Sequence, residues 1–195
     1  MAWVGYAEND AARTVRPVAW AGVEDGYLAH ANITWADTER GRGPTGRAIR
    51  TGESVCIQDF ALDAAAAPWR ENALKRGYRS SIALPLREEG DHIFGALTIY
   101  SAEPNSFTPD EVRLLGELAS DLAFGIVVLR SRIERARAED SLRRLNDELE
   151  QRVKDRTAEL ERKNAELEKM NKMFVGRELR MVELKERIKE LEKAG

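Results

Sequence analysis

Hydrophobic residues recur at every seventh position near the end of the chain, in a segment otherwise rich in Glu, Lys and Arg. The repeat consists of Val153, Leu160, Leu167, Phe174, Met181 and Ile188. No proline follows Pro109, so this segment is predicted to lie in one long helix. A single helix has nothing against which to bury such a stripe, and the heptad spacing therefore predicts a coiled coil with a second copy of the chain. Leu184 and Leu191 complete the predicted dimerisation positions.

The coiled-coil register is predicted to change within this helix. Asn164 occupies an a position of the first part, where a buried Asn favours a parallel, in-register dimer. From Met181 onward the spacing fits better with Met181 at an a position and Leu184 at a d position. Gly176 lies between the two registers, and glycine weakens a helix. We therefore expect a stutter, kink or break near residues 170–177, which is either a tolerated irregularity or a hinge.

The first part of the chain shows the shorter alternation typical of strands, interrupted by turn residues. Strands are predicted over 2–6, 14–21, 54–58, Ser81–Arg87 and Ile93–Ser101, with the first two and the last two joined as antiparallel hairpins. Pro85 predicts an edge or irregular position within its strand, because proline cannot donate a ladder hydrogen bond. Short helices are predicted in GRGPTGRAIRTGE and WRENALKRG, the first capped by Thr45 and ended by Gly52.

The start of the long helix carries the clearest capping signal. Thr108 is predicted to be its N-cap, with Pro109 at the first helical position and acidic residues in the first turn. The apolar positions expected to cover the sheet are Val112, Leu115, Leu118, Leu122 and Ile126. Apolar residues are concentrated before about residue 130, and charged residues after it. These patterns predict an α+β domain over residues 1–130, followed by a helical segment over residues 131–195.

Charge and cysteine content argue against several classes of function. The chain of 195 residues has a net charge of −3 with acidic and basic residues interleaved, which argues against a nucleic-acid surface. Its single cysteine, Cys56, can form no intrachain disulfide and no cysteine-based zinc cluster. No apolar stretch is long enough to span a membrane, and the first residues lack the features of a signal peptide. We expect a cytoplasmic protein.

Several sequence phrases resemble those of GAF domains. GRGPTGRAIRTGESV is similar to a helix and following strand of that family, GYRSSIALPL and FGALTIYS to its paired central strands, and SFTPDEVRLLGELASDLAFGI to its exit helix. The resemblance covers residues 1–130 and implies a GAF-like antiparallel sheet flanked by helices. The chain begins directly in strand-like sequence, which is compatible with a fragment whose natural upstream helix is absent. The segment LNDELEQRVKDRTAELERKNAEL resembles the signalling helices that follow sensor domains in two-component proteins. The expected fold is α+β, followed by a long C-terminal α-helix in a parallel coiled coil.

The resemblance implies a small ligand between the sheet and an irregular layer, without naming the ligand or a cofactor. Pro68 and Trp69 stand where bilin-binding relatives carry a Cys-His pair, so covalent bilin attachment is not expected. The residue set of cyclic-nucleotide binders is not evident, and free-methionine-sulfoxide reductases use more than one cysteine. His30 could ligate haem iron, although a surface histidine is the favoured interpretation and nothing further in the sequence supports haem.

Aromatic residues are the expected lining of any ligand pocket, because they dominate small-molecule cavities. The candidate pocket residues are Trp20, Trp35, Cys56, Phe60 and Trp69. Core packing alone would bury the same aromatic side chains. Cys56 lies in the strand-like run SVCIQDF, where a buried small side chain is the commonest role and redox chemistry is the alternative.

The sequence favours signalling over catalysis. No histidine follows His92, so the long helix lacks the phosphoacceptor of a histidine kinase, and this chain is not expected to phosphorylate by that route. We expect a non-catalytic sensory module that binds a small ligand or partner and forms a homodimer through its C-terminal helix. Its expected partner is a histidine kinase or a response regulator. The alternatives are a degenerate dimerisation scaffold without a ligand, and a redox enzyme or sensor based on Cys56.

Overall fold

The strands of the first part form one antiparallel sheet with the spatial order β2-β1-β5-β4-β3. The computed structural model describes residues 1–24, 26–28 and 32–193, with side chains described through residue 185. The strands are β1 (Ala2–Ala7), β2 (Val15–Ala21), β3 (Val55–Ile57), β4 (Ser80–Arg87) and β5 (Ile93–Ser101). Both predicted hairpins are present, since β1 pairs with β2 and β4 pairs with β5. The predicted α+β fold class is confirmed.

Pro85 lies in an interior strand, at a point where that strand is paired on one side. β3 pairs with β4 only through Ser81–Ala83, so among the described residues the second half of β4 has no strand beside it there. On its other side Pro85 pairs with Ala96 of β5. Proline has no N–H to donate and therefore suits such an open side. The local edge position expected for Pro85 is thus present.

The helices that accompany the sheet in the described residues include α1 (Pro44–Thr51), α2 (Arg70–Lys75) and α3 (Pro109–Lys193). α1 begins earlier than expected, because Gly43 is the N-cap and Pro44, which has no N–H to satisfy, takes the first position. Thr45 therefore does not cap the helix, and its buried hydroxyl lies 3.0 Å from the hydroxyl of Thr98 on β5. Gly52 ends α1 as predicted, in a left-handed conformation with a φ of 71°.

The predicted start of α3 is confirmed. Thr108 and Glu111 form a reciprocal capping box, in which the Thr108 backbone N–H donates to Glu111 Oε2 at 2.8 Å. The Glu111 backbone N–H lies 3.4 Å from Thr108 Oγ1 and completes the pair. The hydrogen bonds from Thr108 lower the pKa of Glu111 and favour its charged form at the positive end of the helix.

The first part of α3 covers one apolar face of the sheet. Ala119 and Ala123 are buried there in one cluster with Ile82 and Leu84 of β4. Four of the predicted covering positions pack against the same cluster, namely Val112, Leu115, Leu122 and Ile126. The prediction for Leu118 is wrong, because this side chain is 54% exposed and does not share the helix face of the buried alanines.

Irregular segments together with α1 and α2 cover the opposite face of the sheet. This face carries a largely aromatic buried cluster that includes Trp3, Tyr27, Phe60, Tyr78 and Tyr100. Ile49 of α1 and Ala73 of α2 are buried in the same cluster. The two short helices therefore help to enclose the aromatic side chains, and the candidate functional site lies among them.

The chain divides into two compact units, Met1–Arg132 and a second unit from Ile133 onward. The second unit consists of the remainder of α3, which stays helical through Gly176. No break in the helix occurs at residues 170–177, and the change of register predicted for paired helices stays a prediction. None of the helices in the described part of the chain is long and apolar enough to cross a membrane.

The heptad positions of the second unit are exposed in the single chain. Val153, Leu160, Leu167, Phe174, Met181 and Leu184 are each more than half exposed. The charged side chains around them pair within the helix, as in Lys163 to Glu159 at 2.6 Å. The side chains of Ile188 and Leu191 lie outside the described residues. The coiled coil and the dimer stay predictions, for which this unpartnered apolar stripe supplies the surface.

Candidate ligand cavity

A small cavity lies between the sheet and the irregular layer that covers it. Its volume is about 20 Å³, which is room for one water-sized molecule. Arg40 and the first residues of α1 form part of its lining. Four aromatic side chains form most of the rest, and these are Tyr27, Phe60, Trp69 and Tyr100. A larger molecule can enter only if part of this wall moves.

Three buried tyrosines pack together beside the cavity. The ring centroids of Tyr78 and Tyr100 are 4.8 Å apart, and those of Tyr27 and Tyr100 are 5.5 Å apart. The hydroxyl oxygens of Tyr27 and Tyr100 lie 3.3 Å apart, and the Tyr78 hydroxyl donates to the Val23 carbonyl oxygen. Burial raises the pKa of Tyr27 and raises the pKa of Tyr100 well above its usual range. These two phenols therefore remain protonated and uncharged at neutral pH.

The N-terminal turn of α1 forms the wall against Trp69. Gly43 lies against the indole, and a Cβ at this position would stand 2.4 Å from the nearest ring carbon. Gly46 is enclosed by backbone, since a Cβ there would lie 2.2 Å from the Gly41 carbonyl oxygen and 2.5 Å from that of Thr34. Both close approaches require glycine. The start of α1 is thereby held directly against the aromatic wall.

Arg50 ties the loop before α1 to the helix itself. Its Nη1 donates to the carbonyl oxygens of Trp35 and Ala36, each at 3.1 Å, and to that of Gly41 at 2.5 Å. One guanidinium group therefore supplies donors to three backbone acceptors of this loop. Because the loop also carries Arg40, the same contacts help to fix this part of the cavity wall.

Trp69 carries a buried hydrogen-bond donor that lacks an acceptor among the described residues. The residue is 7% exposed, and its Nε1 has no hydrogen-bond partner among the described residues. The neighbouring Arg70 anchors this segment, since its guanidinium donates to the carbonyl oxygens of Phe60 at 2.9 Å and Asp63 at 2.8 Å. The indole of Trp69 thus lies on an anchored segment in the cavity wall, with its N–H available to a bound acceptor.

Two of the five predicted pocket residues, Phe60 and Trp69, line the cavity. Trp35 packs at the periphery of the same cluster. Its Nε1 donates to the Glu8 carbonyl oxygen at 2.9 Å, and the Arg13 guanidinium lies 4.7 Å from its ring centre. The Trp35 ring is therefore engaged by residues at the turn of the β1–β2 hairpin rather than by the cavity.

Trp20 and Cys56 lie away from the cavity, contrary to expectation. Trp20 is 58% exposed because it stands at the exposed end of β2, the edge strand of the sheet. Cys56 packs in the cluster covered by α3, whereas the next residue, Ile57, points to the aromatic side, as strand alternation requires. Burial raises the pKa of the Cys56 thiol, so that less of it is thiolate at neutral pH.

The sequence pattern does not single out Tyr27 or Tyr100 as cavity residues. Tyr100 lies two residues after Thr98 and four after Ala96 on β5, so strand alternation is a signal that places it on the same face. Tyr27 follows β2 in a stretch for which the sequence predicts neither a helix nor a strand, so no periodicity indicates which of its side chains turn inward. Its position follows from tertiary packing against Tyr78 and Tyr100.

The described residues contain no cluster of three or more His, Cys, Asp or Glu side chains that could hold a metal ion. His92 is exposed, with its Nδ1 3.4 Å from a carboxylate oxygen of Glu88. His30, the candidate haem ligand, lies outside the described residues. The described part of the chain therefore adds no support for a metal or haem cofactor.

A larger concavity of about 1020 Å³ lies between the first part of α3 and the second half of β4. It is an open surface groove with charged walls, which include Arg87, Glu88, Arg113 and Glu117. Small-molecule sites enclose the greater part of the ligand, which an open groove of this kind does not. The smaller aromatic cavity is therefore the better candidate for a small ligand.

The fold is that of a small α+β domain, with a helix on one face of the sheet and an aromatic cavity on the other. The chain belongs to the GAF domain family, since the family model for the GAF domain matches residues 1–127. The resemblance of the first part of the sequence to GAF domains is thereby confirmed. No curated protein matches the chain.

Solved structures similar to this chain include a sensor kinase domain, a phosphotransferase domain and a reductase. A domain assigned to a two-component sensor histidine kinase from Sinorhizobium meliloti 1021 is 20% identical, with a TM-score of 0.54 over 69% of this chain and 83% of that chain. The GAF domain of a phosphoenolpyruvate-protein phosphotransferase from Coxiella burnetii is 20% identical, with a TM-score of 0.51 over 67% and 73%. A type II free methionine-R-sulfoxide reductase from Thermoplasma acidophilum is 17% identical, with a TM-score of 0.49 over 63% and 74%.

Proposed function

We propose that this chain is a non-catalytic sensory module that binds a small molecule in the aromatic cavity and signals through a dimeric coiled coil. The observation that carries this proposal is that β5 contacts the cavity on one face of the sheet and α3 on the other. Tyr100 faces the cavity, while Leu97 and Ile99 of the same strand face α3. α3 runs on to Lys193. Occupancy of the cavity can therefore act on the signalling helix through a single strand.

The chemistry of the cavity supports binding rather than catalysis. Its described lining includes no histidine, cysteine or carboxylate, and its two tyrosines are uncharged at neutral pH. The described lining therefore offers no general base and no activated nucleophile. The redox alternative has little support, because Cys56 lies on the opposite face of the sheet. The likeness to a methionine sulfoxide reductase is one of fold alone.

The exposed stripe of the second unit supports the dimeric part of the proposal. Leu160 and Phe174 are 52% and 62% exposed, and large apolar side chains at heptad spacing gain most by pairing with a second helix. We propose a parallel homodimer in the cytoplasm, with a histidine kinase or a response regulator as partner. Support for this class of partner comes from the Sinorhizobium relative, which is assigned to a two-component sensor histidine kinase.

The size of the cavity favours a second candidate function. A volume of about 20 Å³ leaves room for one water, so the cavity in this conformation is nearly filled by the side chains around it. A first unit of this kind would act as a dimerisation scaffold without a ligand. If the chain is a scaffold, removing small molecules should not change how the two C-terminal helices pack. If it is a sensor, the packing of these helices should change when the cavity is occupied.

Cysteine cross-linking of the full chain tests the sensory proposal. Leu160→Cys in a Cys56→Ser background places a thiol in the predicted seam, and Glu161→Cys is the matched control one residue outside it. The protein is measured as purified, and again after its small molecules have been removed by denaturation, dialysis and refolding. Native mass spectrometry reports oligomer mass and any retained ligand in both samples.

We expect a dimer with added mass, a disulfide at position 160 but not at 161, and a changed cross-linking yield once the added mass is lost. A monomer would contradict the coiled coil. A dimer without added mass, whose cross-linking yield is the same in both samples, would favour the scaffold.

A further inference from the structure

We infer that the aromatic cavity takes a small organic carboxylate, which accepts a hydrogen bond from Trp69 Nε1 at the N-terminus of α1. Because this assignment rests on the proposed sensory function, it concerns the ligand of that same site. Three independent features converge on it: the charge of the lining, the orientation of α1, and the unpartnered indole donor. Each restricts the chemistry of the ligand in a different way.

The lining is electrostatically suited to a negative group. Arg40 is the charged residue among the described lining side chains, and none of them is acidic. Tyr27 and Tyr100 are uncharged at neutral pH. A cation in this cavity would be desolvated among uncharged aromatic rings, and the described lining offers it no carboxylate as a partner, which is unfavourable. The lining therefore disfavours amines and favours neutral or anionic groups.

The first turn of α1 adds donors and a positive dipole end. Gly43 has no side chain with which to cap the helix, and Pro44 has no N–H. The backbone N–H groups of Thr45 and Gly46 have no acceptor within the helix, because they belong to its first turn. All four residues line the cavity. Uncapped N–H groups at the start of a helix favour an anion at that position.

The Trp69 indole is the second observation that points to a ligand. It lines the cavity, is 7% exposed, and keeps a donor that no described protein group accepts. Buried donors are nearly always satisfied, so an acceptor from outside the protein is the natural partner. A carboxylate has acceptor capacity for the indole N–H and for the helix N-terminus at once.

The aromatic wall distinguishes an organic carboxylate from an inorganic anion. Phe60 and Tyr100 present ring surface to the cavity, which can pack against a hydrocarbon body but offers nothing to a hydrated inorganic ion. The present volume of about 20 Å³ requires the wall to open around such a body. A short or flat body demands the smallest opening, and the ligand is therefore a small one.

Nuclear magnetic resonance of the indole groups tests the assignment directly in the full chain. The sequence has four tryptophans, so the spectrum of Nε1–H groups has four signals, and Trp69→Phe identifies the relevant one. Propionate and benzoate are titrated against propylamine and benzylamine, which keep the same bodies but carry a positive charge. Sodium chloride at equal ionic strength is the control for salt.

Both carboxylates are expected to shift the Trp69 indole proton saturably downfield, while the amines and sodium chloride leave it in place. Trp69→Phe keeps an apolar ring but loses the donor, and should weaken benzoate binding by about tenfold or more. Trp20→Phe, at an exposed position, should bind as the unaltered chain does. The comparison of acid with amine uses the unaltered chain, so it holds even if Trp69→Phe folds poorly.

Equal shifts of the Trp69 indole proton with the carboxylates and the amines would overturn the assignment of a negative charge to the ligand. No saturable shift at Trp69 with either carboxylate would overturn the assignment of the site. Neither result bears on the cross-linking test, which reports whether the cavity signals to the helix. Carboxylate binding without any change in cross-linking would conversely leave the ligand assignment intact and contradict the sensory function.

Discussion

Replacing Arg50 with methionine should lower the free energy of unfolding of the first unit and loosen the loop that borders the cavity. Arg50 Nη1 contacts the carbonyl oxygens of Trp35, Ala36 and Gly41 at 2.5 to 3.1 Å. One Nη1 has two hydrogens, so the three contacts amount to about two full hydrogen bonds from a charged donor to a partly buried loop. Their loss should cost about 2–3 kcal/mol, since each such bond contributes about 1–1.5 kcal/mol at a partly exposed site.

The loss is best measured by urea unfolding followed by tryptophan fluorescence, because all four tryptophans lie in the first unit whereas circular dichroism is dominated by α3. A loss of this size corresponds to a decrease in Tm of about 8–12 °C for a domain of this length. Arg47→Met is the matched control, since Arg47 is an exposed arginine of the same helix. The stability of Arg50→Lys should lie between those of Arg50→Met and Arg47→Met, because an ammonium group keeps the charge but cannot reach all three acceptors.

Equal stability of Arg50→Met and Arg47→Met, within about 0.5 kcal/mol, would refute the view that this guanidinium fixes the loop. The same variants also probe the cavity. If the loop positions Arg40, then Arg50→Met should weaken benzoate binding in the indole titration, whereas Arg47→Met should not. A destabilised variant with unchanged binding would show that the loop and the cavity are independent.

Three further predictions concern the core, the cysteine and the helix stripe. Thr45→Val should cost about 1–2 kcal/mol in urea unfolding, since it leaves the buried Thr98 hydroxyl without its partner, and adding Thr98→Val should cost less than a second equal increment. Cys56 should be alkylated by iodoacetamide more slowly than a cysteine peptide at pH 8, with its rate rising at higher pH, because burial raises its pKa and reduces the thiolate fraction. A rate profile equal to that of the peptide would contradict its burial. Leu160→Lys should convert a dimer to a monomer in analytical ultracentrifugation while Glu161→Lys leaves the dimer intact, and a dimeric Leu160→Lys protein would place the seam elsewhere.

Signals that act between near neighbours in the chain predicted the fold well. The capping pattern of Thr108 and Glu111 located the start of α3, and the left-handed glycine at position 52 located the end of α1. The hairpin of β4 and β5 followed from two apolar runs joined by a charged turn. Each of these features is decided by local backbone chemistry, which the sequence carries explicitly.

The candidate site was harder to predict, because its residues meet only through tertiary packing. Trp20 and Trp35 are aromatic as a pocket requires, yet one lies at the exposed end of an edge strand and the other is engaged by Arg13. Cys56 is among the candidate pocket residues, yet it packs on the face of the sheet opposite to the cavity, as its alternation with Ile57 along the strand requires. Tyr27 had no such signal, since it lies in a segment without periodicity. Residue type alone indicates which side chains are suited to a cavity, and strand parity decides which face they reach.

The sheet itself explains how a buried site could influence a helix on its other side. Arg130 of α3 lies over the ring of Tyr6 on β1, 3.9 Å from its centre, and 5.0 Å from the ring centre of Phe94 on β5. The opposite faces of the same two strands carry Trp3 and Tyr100 in the aromatic cluster. Interiors this closely packed repack between discrete arrangements rather than deforming continuously, so we expect a ligand that parts the aromatic wall to act on β5, which carries Tyr100 in that wall. Signalling then requires only that the ligand bind one arrangement more tightly than the other, and Arg130 is one of the residues through which the two strands contact the helix.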